Sequence, residues 1–342
     1  MSQLATRRGV LKTIAAASAL TLPFGPSGAR ADDPIVIKFS HVVAEHTPKG
    51  QAALKFKELA EAALPGRVKV EVYPSSQLYK DNEEVEALQL GSVQMLAPSL
   101  AKFGPLGLHE FEVFDLPFIF PDDAAYQAVT KGPVGANLFK LLETKSLKGL
   151  AYWDNGFENM SANKPLHVPA DFQGLKMRIQ SSKVLDAEMR GFGAIPQVMA
   201  FSELYQALQT GVVDGTEGSP SNYYTQKFFE VQKHMTISHH NHLAYAVIVN
   251  KAFWEGLVPD VRGALETAMK AATEFANAGA KKDNDDAMEK IAASGKITIY
   301  TLTPDERAQW VAAMVPVHEK MKARVGPEMV AAVYAVTGFK AN

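Results

Sequence analysis

The sequence predicts an α/β protein of two domains, each built on a doubly wound sheet, with one long helix bracing both. Three observations support this fold class. Strand and helix patterns alternate from residue 35 onward, the same alternation restarts after about residue 150, and an Ala-rich stretch at 260–293 has the propensity and length of one long helix. The 342 residues are enough for two domains of ordinary size.

The first domain is expected over residues 32–150. Its predicted elements alternate between strand and helix, and they are a strand at 35–39, a helix through 56–64, a strand at 68–72, a helix from Asp81 or Asn82 to Leu90, and a strand at 93–97. Apolar residues recur at helical spacing in the first helix, and valines alternate with charged residues in the second strand. This order begins a doubly wound parallel sheet. One further helix is predicted over 126–143.

The second domain is expected over residues 151–245, and residues 246–342 are expected to return to both domains. The elements predicted for the second domain are strands at 150–153, 158–163 and 175–180 and helices at 184–191 and 202–209. The last region should add a strand at 246–250, the long helix, and two closing helices that begin at Pro304.

Residues 1–31 have the pattern of a signal peptide. Arg7 and Arg8 precede a mildly apolar run at 14–22, and Ala29-Arg30-Ala31 offers a small-x-small cleavage pattern, so the mature chain is expected to start at Asp32. The paired arginines resemble a twin-arginine signal, and an ordinary secretory signal that carries them by chance is the alternative. The predicted location is the periplasm.

Composition and charge exclude several classes of function. The chain has no cysteine, which excludes disulfides, thiolate metal sites and cysteine nucleophiles. Removing the four basic residues of the signal from the total of 35 leaves 31 against 37 acidic ones, a net charge of about −6 that does not suit nucleic acid. The sequence contains no nucleophile elbow, Walker A loop or complete dinucleotide fingerprint, so we expect neither an enzyme nor a cofactor.

The sequence offers one candidate metal cluster. His239, His240 and His242 lie close together, and on a strand His240 and His242 would share one face. No acidic residue lies within this run. Solvated or hydrogen-bonded histidines are the alternative interpretation, and we expect no metal ion here.

A single arginine at the end of a predicted strand is the best candidate for a ligand anchor. In the strand at 175–180, apolar residues alternate with Lys176, Arg178 and Gln180. Open α/β sheets bind ligands at the carboxyl ends of their strands, and the planar guanidinium suits a carboxylate held by two hydrogen bonds. A surface arginine is the alternative interpretation of Arg178.

Eight short segments, spread nearly end to end beyond residue 32, carry a family resemblance. They are Phe39-Ser40-His41-Val42, Tyr73-Pro74-Ser75-Ser76-Gln77-Leu78, Leu116-Pro117-Phe118, Tyr152-Trp153-Asp154-Asn155-Gly156, Gly174-Leu175-Lys176-Met177-Arg178, Ala200-Phe201-Ser202-Glu203-Leu204-Tyr205-Gln206-Ala207-Leu208-Gln209, Val213-Asp214-Gly215 and Glu230-Val231-Gln232-Lys233. In this order and spacing they resemble the solute-binding subunits of TRAP transporters, the DctP-like family.

The resemblance implies a two-domain periplasmic binding protein, a clamshell that closes on a small organic acid and delivers it to TRAP membrane permease subunits. A monomer is expected. The resemblance places Arg178 on the family's carboxylate-binding arginine and Phe201 on a pocket aromatic. The other residues expected at the ligand are His41, Tyr79, Asp81, Pro98, Asn155, Glu158, Gly218 and His240.

Two positions depart from the pattern of the resembling family. Glu158 stands where many members have Arg or Lys, and Gly218 stands where many have Asn. A carboxylate at 158 would repel a second ligand carboxylate, and a glycine at 218 would leave more room. The sequence therefore predicts a monocarboxylate ligand, aromatic or hydroxylated, with a C4-dicarboxylate as the alternative if Glu158 points away. An exported enzyme and a receptor-coupled sensor are the other classes of function.

Overall fold

A computed structural model of the chain describes residues 33–341, and the predicted signal peptide at 1–31 lies outside them. The residues from Pro34 onward form one structural unit. None of the described helices is both long and apolar enough to cross a membrane.

The first half of the described chain follows the predicted alternation. Its elements are β1 (Ile35–Ser40), α1 (Pro48–Ala63), β2 (Val68–Tyr73), α2 (Glu84–Gln89), β3 (Met95–Leu96), α3 (Asp123–Lys131), α4 (Pro133–Glu143) and β4 (Leu147–Phe157). The single helix predicted over 126–143 is wrong, because α3 and α4 are separate helices. Gly132 and Pro133 divide them, since proline has no N–H to continue a helix and is well suited to begin one.

The second half contains more helices than the sequence predicts. Its elements are β5 (Asn159–Ala162), β6 (Lys176–Ile179), α5 (Lys183–Gly191), β7 (Ile195–Val198), α6 (Leu204–Thr210), β8 (Gly215–Gly218), α7 (Pro220–Thr225), β9 (His234–Ile237), β10 (His242–Asn250), α8 (Lys251–Gly256), α9 (Pro259–Ser294), β11 (Thr298–Thr301), α10 (Pro304–Met314), α11 (Pro316–Val325) and α12 (Pro327–Thr337). The chain closes on three helices, not two, and each begins with a proline.

Two sheets organise these elements. The first has the order β2-β1-β3-β10-β4, and the second has the order β11-β9-β5-β8-β6-β7. β1 is parallel to both of its neighbours, as a doubly wound sheet requires, whereas β10 is antiparallel to β3 and β4. The predicted fold class is confirmed, with both sheets mixed rather than purely parallel.

Strand β10 shows why the first sheet is stable. Its residues alternate between two hydrophobic clusters, with Tyr245 and Val247 in one and Ala246 and Ile248 in the other. Both faces of this strand are therefore covered, as expected for a central strand between two helical layers.

The chain crosses between the sheets at two places. β4 and β5 lie in different sheets although only Glu158 separates them, and residues 238–241 connect β9 of the second sheet to β10 of the first. The predicted domain limits at 150 and 245 fall inside β4 and β10. We propose that the two domains are instead divided at residue 158 and within 238–241.

The long helix α9 contacts β4 of the first sheet and the helix α1, and it also contacts α7, which follows β8 of the second sheet. Trp153 Nε1 donates to Thr273 Oγ1 at 2.9 Å, which ties β4 to the helix. Farther along the helix, the Asn284 side chain donates to the Asn155 carbonyl at 2.7 Å and accepts from the Ser221 N–H at 2.9 Å. The predicted bracing helix is therefore present, and Asn284 links β4 to α7.

Candidate functional site

A charged cavity lies between the two sheets, next to the carboxyl ends of β1, β3, β6 and β8. It is lined by seven ionisable side chains besides Tyr245, and small-molecule sites commonly lie in such clefts between layers. Both sheets contribute, and the lining residues are Val42, Val43, Lys49, Asp81, Glu84, Ser99, Lys102, Glu158, Arg178, Gln180, Phe201, Glu217, Gly218, Asn222, Leu243 and Tyr245. Ligand sites of open α/β sheets occupy this position.

Arg178 reaches the cavity from the third residue of β6. Its Nε and Nη2 donate to the Met199 carbonyl at 3.1 and 3.0 Å, and the guanidinium lies 5.7 Å from the centre of the Phe201 ring. Among the described residues, no hydrogen bond is made by Nη1. The backbone carbonyl fixes the plane of the guanidinium, so Nη1 and the remaining N–H of Nη2 can bind one carboxylate through two parallel hydrogen bonds.

Asp81 lies between Lys102 on the first-sheet side of the cavity and Arg178 on the second-sheet side. Its Oδ2 accepts from Lys102 Nζ at 2.6 Å and lies 3.7 Å from Arg178 Nη2, and its Oδ1 accepts from the Phe201 N–H at 3.2 Å. Burial raises the pKa of Asp81, but Lys102 and Arg178 outweigh burial and hold that pKa below its usual value. Asp81 is thus a fixed anion that orients Lys102 and Arg178.

Lys49 and Glu84 form a second buried pair on the first-sheet side. Lys49 Nζ donates to the Ala97 carbonyl at 2.9 Å and lies 3.7 Å above the Tyr245 ring. Burial lowers the pKa of Lys49 to about 8 and raises that of Glu84 to about 7, while the attraction between the two groups opposes both shifts. Both carboxylate oxygens of Glu84 lack a hydrogen-bond partner among the described residues. The charge of this pair therefore changes near neutral pH.

Glu158 faces the cavity from the crossing between β4 and β5. Burial raises the pKa of Glu158 well above its usual value, Glu217 and Asp115 raise it further, and Arg178 opposes the shift. The neutral carboxyl group is therefore favoured over a wider pH range than in an exposed glutamate. A neutral carboxyl donates a hydrogen bond and does not repel an anion.

Gly218 does not leave the extra room that the sequence predicts. A side chain at this position would begin 3.1 Å from the Tyr223 ring. That ring is buried, and its hydroxyl lies within hydrogen-bond distance of two acceptors, Ser161 Oγ at 2.8 Å and the Thr216 carbonyl at 3.0 Å. Tyr223 thus occupies the space beside Gly218.

The structure brings together five of the ten predicted ligand residues. Arg178, Glu158, Phe201, Gly218 and Asp81 line the cavity. The other five lie outside this lining, and they are His41, Tyr79, Pro98, Asn155 and His240.

Each of these five has another environment. His41 is fully buried against the Phe39 ring, and burial lowers its pKa to about 3. Tyr79 packs on a hydrophobic cluster, and the Pro98 carbonyl accepts from Ala246. The Asn155 side chain donates to Ser219 Oγ, and His240 lies behind the cavity beside Glu217.

Sequence reasoning missed the cations of the first-sheet side, Lys49 and Lys102. Lys49 stands in the first turn of α1, where a positive charge opposes the helix dipole and where no acidic residue is present. That unfavourable placement is a signal that could have singled it out. Lys102 ends a short 3₁₀ helix at Leu100–Lys102, and its sequence neighbourhood offers no comparable signal.

The fold and the cavity define a class of protein. Two β-sheets flanked by helices face each other across a charged cavity. Two chain crossings and a bracing helix join them, which is the architecture of a solute-binding protein. The model of bacterial extracellular solute-binding protein family 7, DctP, matches residues 39–324, and the chain belongs to this family.

Relatives with known structures or functions support the assignment. The C4-dicarboxylate-binding periplasmic protein DctP of Rhodobacter capsulatus is 60% identical over 332 residues, which cover 97% of this chain and 99% of that protein. A TRAP periplasmic solute-binding protein from Shewanella oneidensis, solved with bound succinate, is 44% identical with a TM-score of 0.87 and covers 89% of this chain and 99% of its own. A TRAP periplasmic solute-binding protein from Pseudomonas aeruginosa PAO1, solved with bound L-malate, is 42% identical with a TM-score of 0.82. The match covers 84% of this chain and 100% of that chain. The predicted family and the periplasmic location are confirmed.

Proposed function

We propose that this protein captures a C4-dicarboxylate in the periplasm and delivers it to the membrane permease of a TRAP transporter. One observation carries the proposal: three cationic side chains, Lys49, Lys102 and Arg178, line one cavity from its two sides. The relatives described above bind C4-dicarboxylates, succinate or L-malate. This support favours the alternative drawn from the sequence over the monocarboxylate prediction.

The two sides of the cavity suit the two ends of a dicarboxylate. Arg178 offers Nη1 and Nη2 to one carboxylate, and Lys49 and Lys102 offer ammonium groups to the other. Asp81 balances part of this positive charge, and Glu84 and Glu217 also line the cavity. Burial, Glu217 and Asp115 favour the neutral form of Glu158, which lowers the negative charge that a doubly charged ligand meets in the cavity.

The repulsion that motivated a monocarboxylate therefore does not apply to a protonated Glu158. The neutral carboxyl group can instead donate a hydrogen bond to an oxygen of the ligand. A dicarboxylate with a hydroxyl or carbonyl oxygen between its ends gives this donor an additional acceptor. Glu158 is thus proposed to tune selection among dicarboxylates rather than to exclude them.

A thermal-shift screen of organic acids tests the proposed ligand class. Succinate, L-malate, an aromatic monocarboxylate and a hydroxylated monocarboxylate are compared at equal concentration. A ligand present at 100 times its dissociation constant adds about 2.7 kcal/mol to the free energy of unfolding. The proposal predicts the largest shifts for the dicarboxylates, and a larger shift for either monocarboxylate would contradict it.

A further inference from the structure

A second cavity contains a cluster of metal-ligating side chains that the ligand site does not use. Asp123 is the first residue of α3, Asp154 lies in β4, and His242 is the first residue of β10. Asp123 and Asp154 line this cavity together with His239, and His242 is buried behind them. The chain folds three separate segments onto this point, close to both crossings between the sheets.

The distances within the cluster fit a metal ion as well as the long hydrogen bond between His242 and Asp123. His242 Nε2 lies 3.3 Å from Asp123 Oδ1 and 3.5 Å from Asp154 Oδ1, and the three ligand atoms lie within 4.8 Å of one another. A hydrogen bond between an imidazolium and a carboxylate is typically about 2.7–2.9 Å long, and one Nε2–H cannot serve two carboxylates well. Tetrahedral zinc with bonds of about 2.0–2.1 Å places neighbouring ligand atoms about 3.3–3.4 Å apart.

The surrounding side chains hold the imidazole in place. The His242 ring is stacked on Tyr126 at 4.3 Å between centroids and meets the edge of Phe157 at 4.8 Å. Asp154 Oδ1 accepts from the Gly156 N–H at 2.8 Å, which also orients the carboxylate. Ligands that are fixed before the ion arrives lose little freedom on binding, which favours a metal site.

Charge and access also suit a cation. His242 and Asp154 are buried, whereas Asp123 is partly exposed and opens the cluster to the cavity. The two carboxylates supply anionic oxygen ligands, and the imidazole supplies the nitrogen. The nearby Lys281 ammonium donates to Asp285 at 2.6 Å and is also close enough to Asp123 to interact with its charge.

We propose that Asp123, Asp154 and His242 bind a divalent transition-metal cation of the zinc type, with water from the cavity as the fourth ligand. One imidazole with two carboxylates is a ligand set that zinc accepts. The bound ion would join α3 to the adjacent strands β4 and β10 where the chain passes between the sheets. His239, on the wall of the same cavity, is available to approach the ion.

A superficially similar cluster does not compete with this proposal. His240 Nε2 lies 3.4 Å from Glu217 Oε2 and 3.7 Å from Glu188 Oε1. All three residues are buried, and Glu217 also lines the ligand cavity, so a metal ion at this second cluster would compete with the ligand site for Glu217.

Calorimetric titration with Zn²⁺ tests the proposed site. The full chain is produced without a polyhistidine tag, treated with a chelator and dialysed into metal-free buffer. The wild type should bind one Zn²⁺ per chain, and Asp123→Asn and His242→Gln should each weaken binding at least about tenfold. Asp123→Asn changes a partly exposed residue, so it remains informative if His242→Gln fails to fold.

His167→Gln is the matched control. His167 Nδ1 also lies 3.3 Å from a carboxylate oxygen, that of Glu306, but only one carboxylate is present there. Zinc affinity should be unchanged in this variant. No binding by the wild type, unchanged binding in Asp123→Asn, or an equal loss in His167→Gln would each overturn the proposal. None of these results would bear on the organic-acid ligand.

Discussion

The two ends of the ligand cavity are built on different physical principles. At the second-sheet end, Arg178 is held by two hydrogen bonds to the Met199 carbonyl, and its charge persists at every physiological pH. At the first-sheet end, burial brings the pKa of Lys49 to about 8 and that of Glu84 to about 7. The difference indicates that the Arg178 end anchors any carboxylate, whereas the Lys49 end decides whether a second carboxylate is accepted.

Replacing the anchor should have the largest effect. Arg178→Lys keeps a positive charge but removes the planar pair of donors, so succinate and monocarboxylates should both bind about 10- to 100-fold more weakly. Isothermal titration calorimetry measures the loss. Arg190→Lys is the control, because Arg190 is an exposed residue of α5 that pairs with Asp186. Equal affinity in Arg178→Lys and wild type would show that Arg178 is not the anchor.

Removing the ammonium at the other end should separate the two ligand classes. In Lys49→Met, succinate should bind about tenfold more weakly while a monocarboxylate at Arg178 is unaffected, because only the second carboxylate loses its partner. Lys55→Met, on the same helix and hydrogen-bonded to Glu58, should change neither affinity. Equal losses for both ligands would instead show that Lys49 supports the cavity as a whole.

The contrast between Arg178 and Lys49 also shows what a sequence can reveal. Arg178 could be predicted because a strand places alternate residues on one face and a ligand site follows the strand's end. Lys49 depends on the packing of α1 against the sheet, which creates its buried environment and its pairing with Glu84. The raised pKa of Glu158 likewise arises from burial and from residues distant in sequence, Glu217 and Asp115, so the charge of the cavity could not be predicted from the residue type alone.

In the fold, too, local features were predictable and long-range pairings were not. The strands of the first sheet follow local alternation, and their prediction was accurate for β1 and β2. The sheet to which each strand belongs was harder to predict, because β4 continues through residue 150 and only Glu158 separates it from β5. The histidine run was ambiguous because its acidic neighbours, Asp123 and Glu217, come from other parts of the chain.

Changing the pH should sharpen the contrast between the two ends. The folded-state pKa of Glu84 is raised to about 7 and that of Lys49 is lowered to about 8, so raising the pH from 6.5 to 9 ionises Glu84 and then discharges Lys49. Both changes disfavour a second carboxylate. Succinate affinity should fall about tenfold over this range, since a group one unit above its pKa is about nine-tenths deprotonated. Monocarboxylate affinity should stay constant, and parallel losses would contradict the assignment.

The smallest effect is expected at Glu158. If this carboxyl group is neutral, Glu158→Gln replaces one uncharged group by another of similar shape, and succinate affinity should stay within about threefold of wild type. If Glu158 were ionised, removing its charge would strengthen succinate binding by about tenfold or more. Titration of the variant at pH 7 distinguishes the two states.

The most direct test of the two-ended cavity is a competition titration between succinate and butyrate on the wild-type protein. The two ligands share a four-carbon chain and differ only in the second carboxylate. Our account predicts that succinate binds at least about 10-fold more tightly, because charge-assisted hydrogen bonds typically contribute about 1.5–3 kcal/mol. Equal affinities would contradict it, because they would show that the first-sheet cations do not bind a second carboxylate.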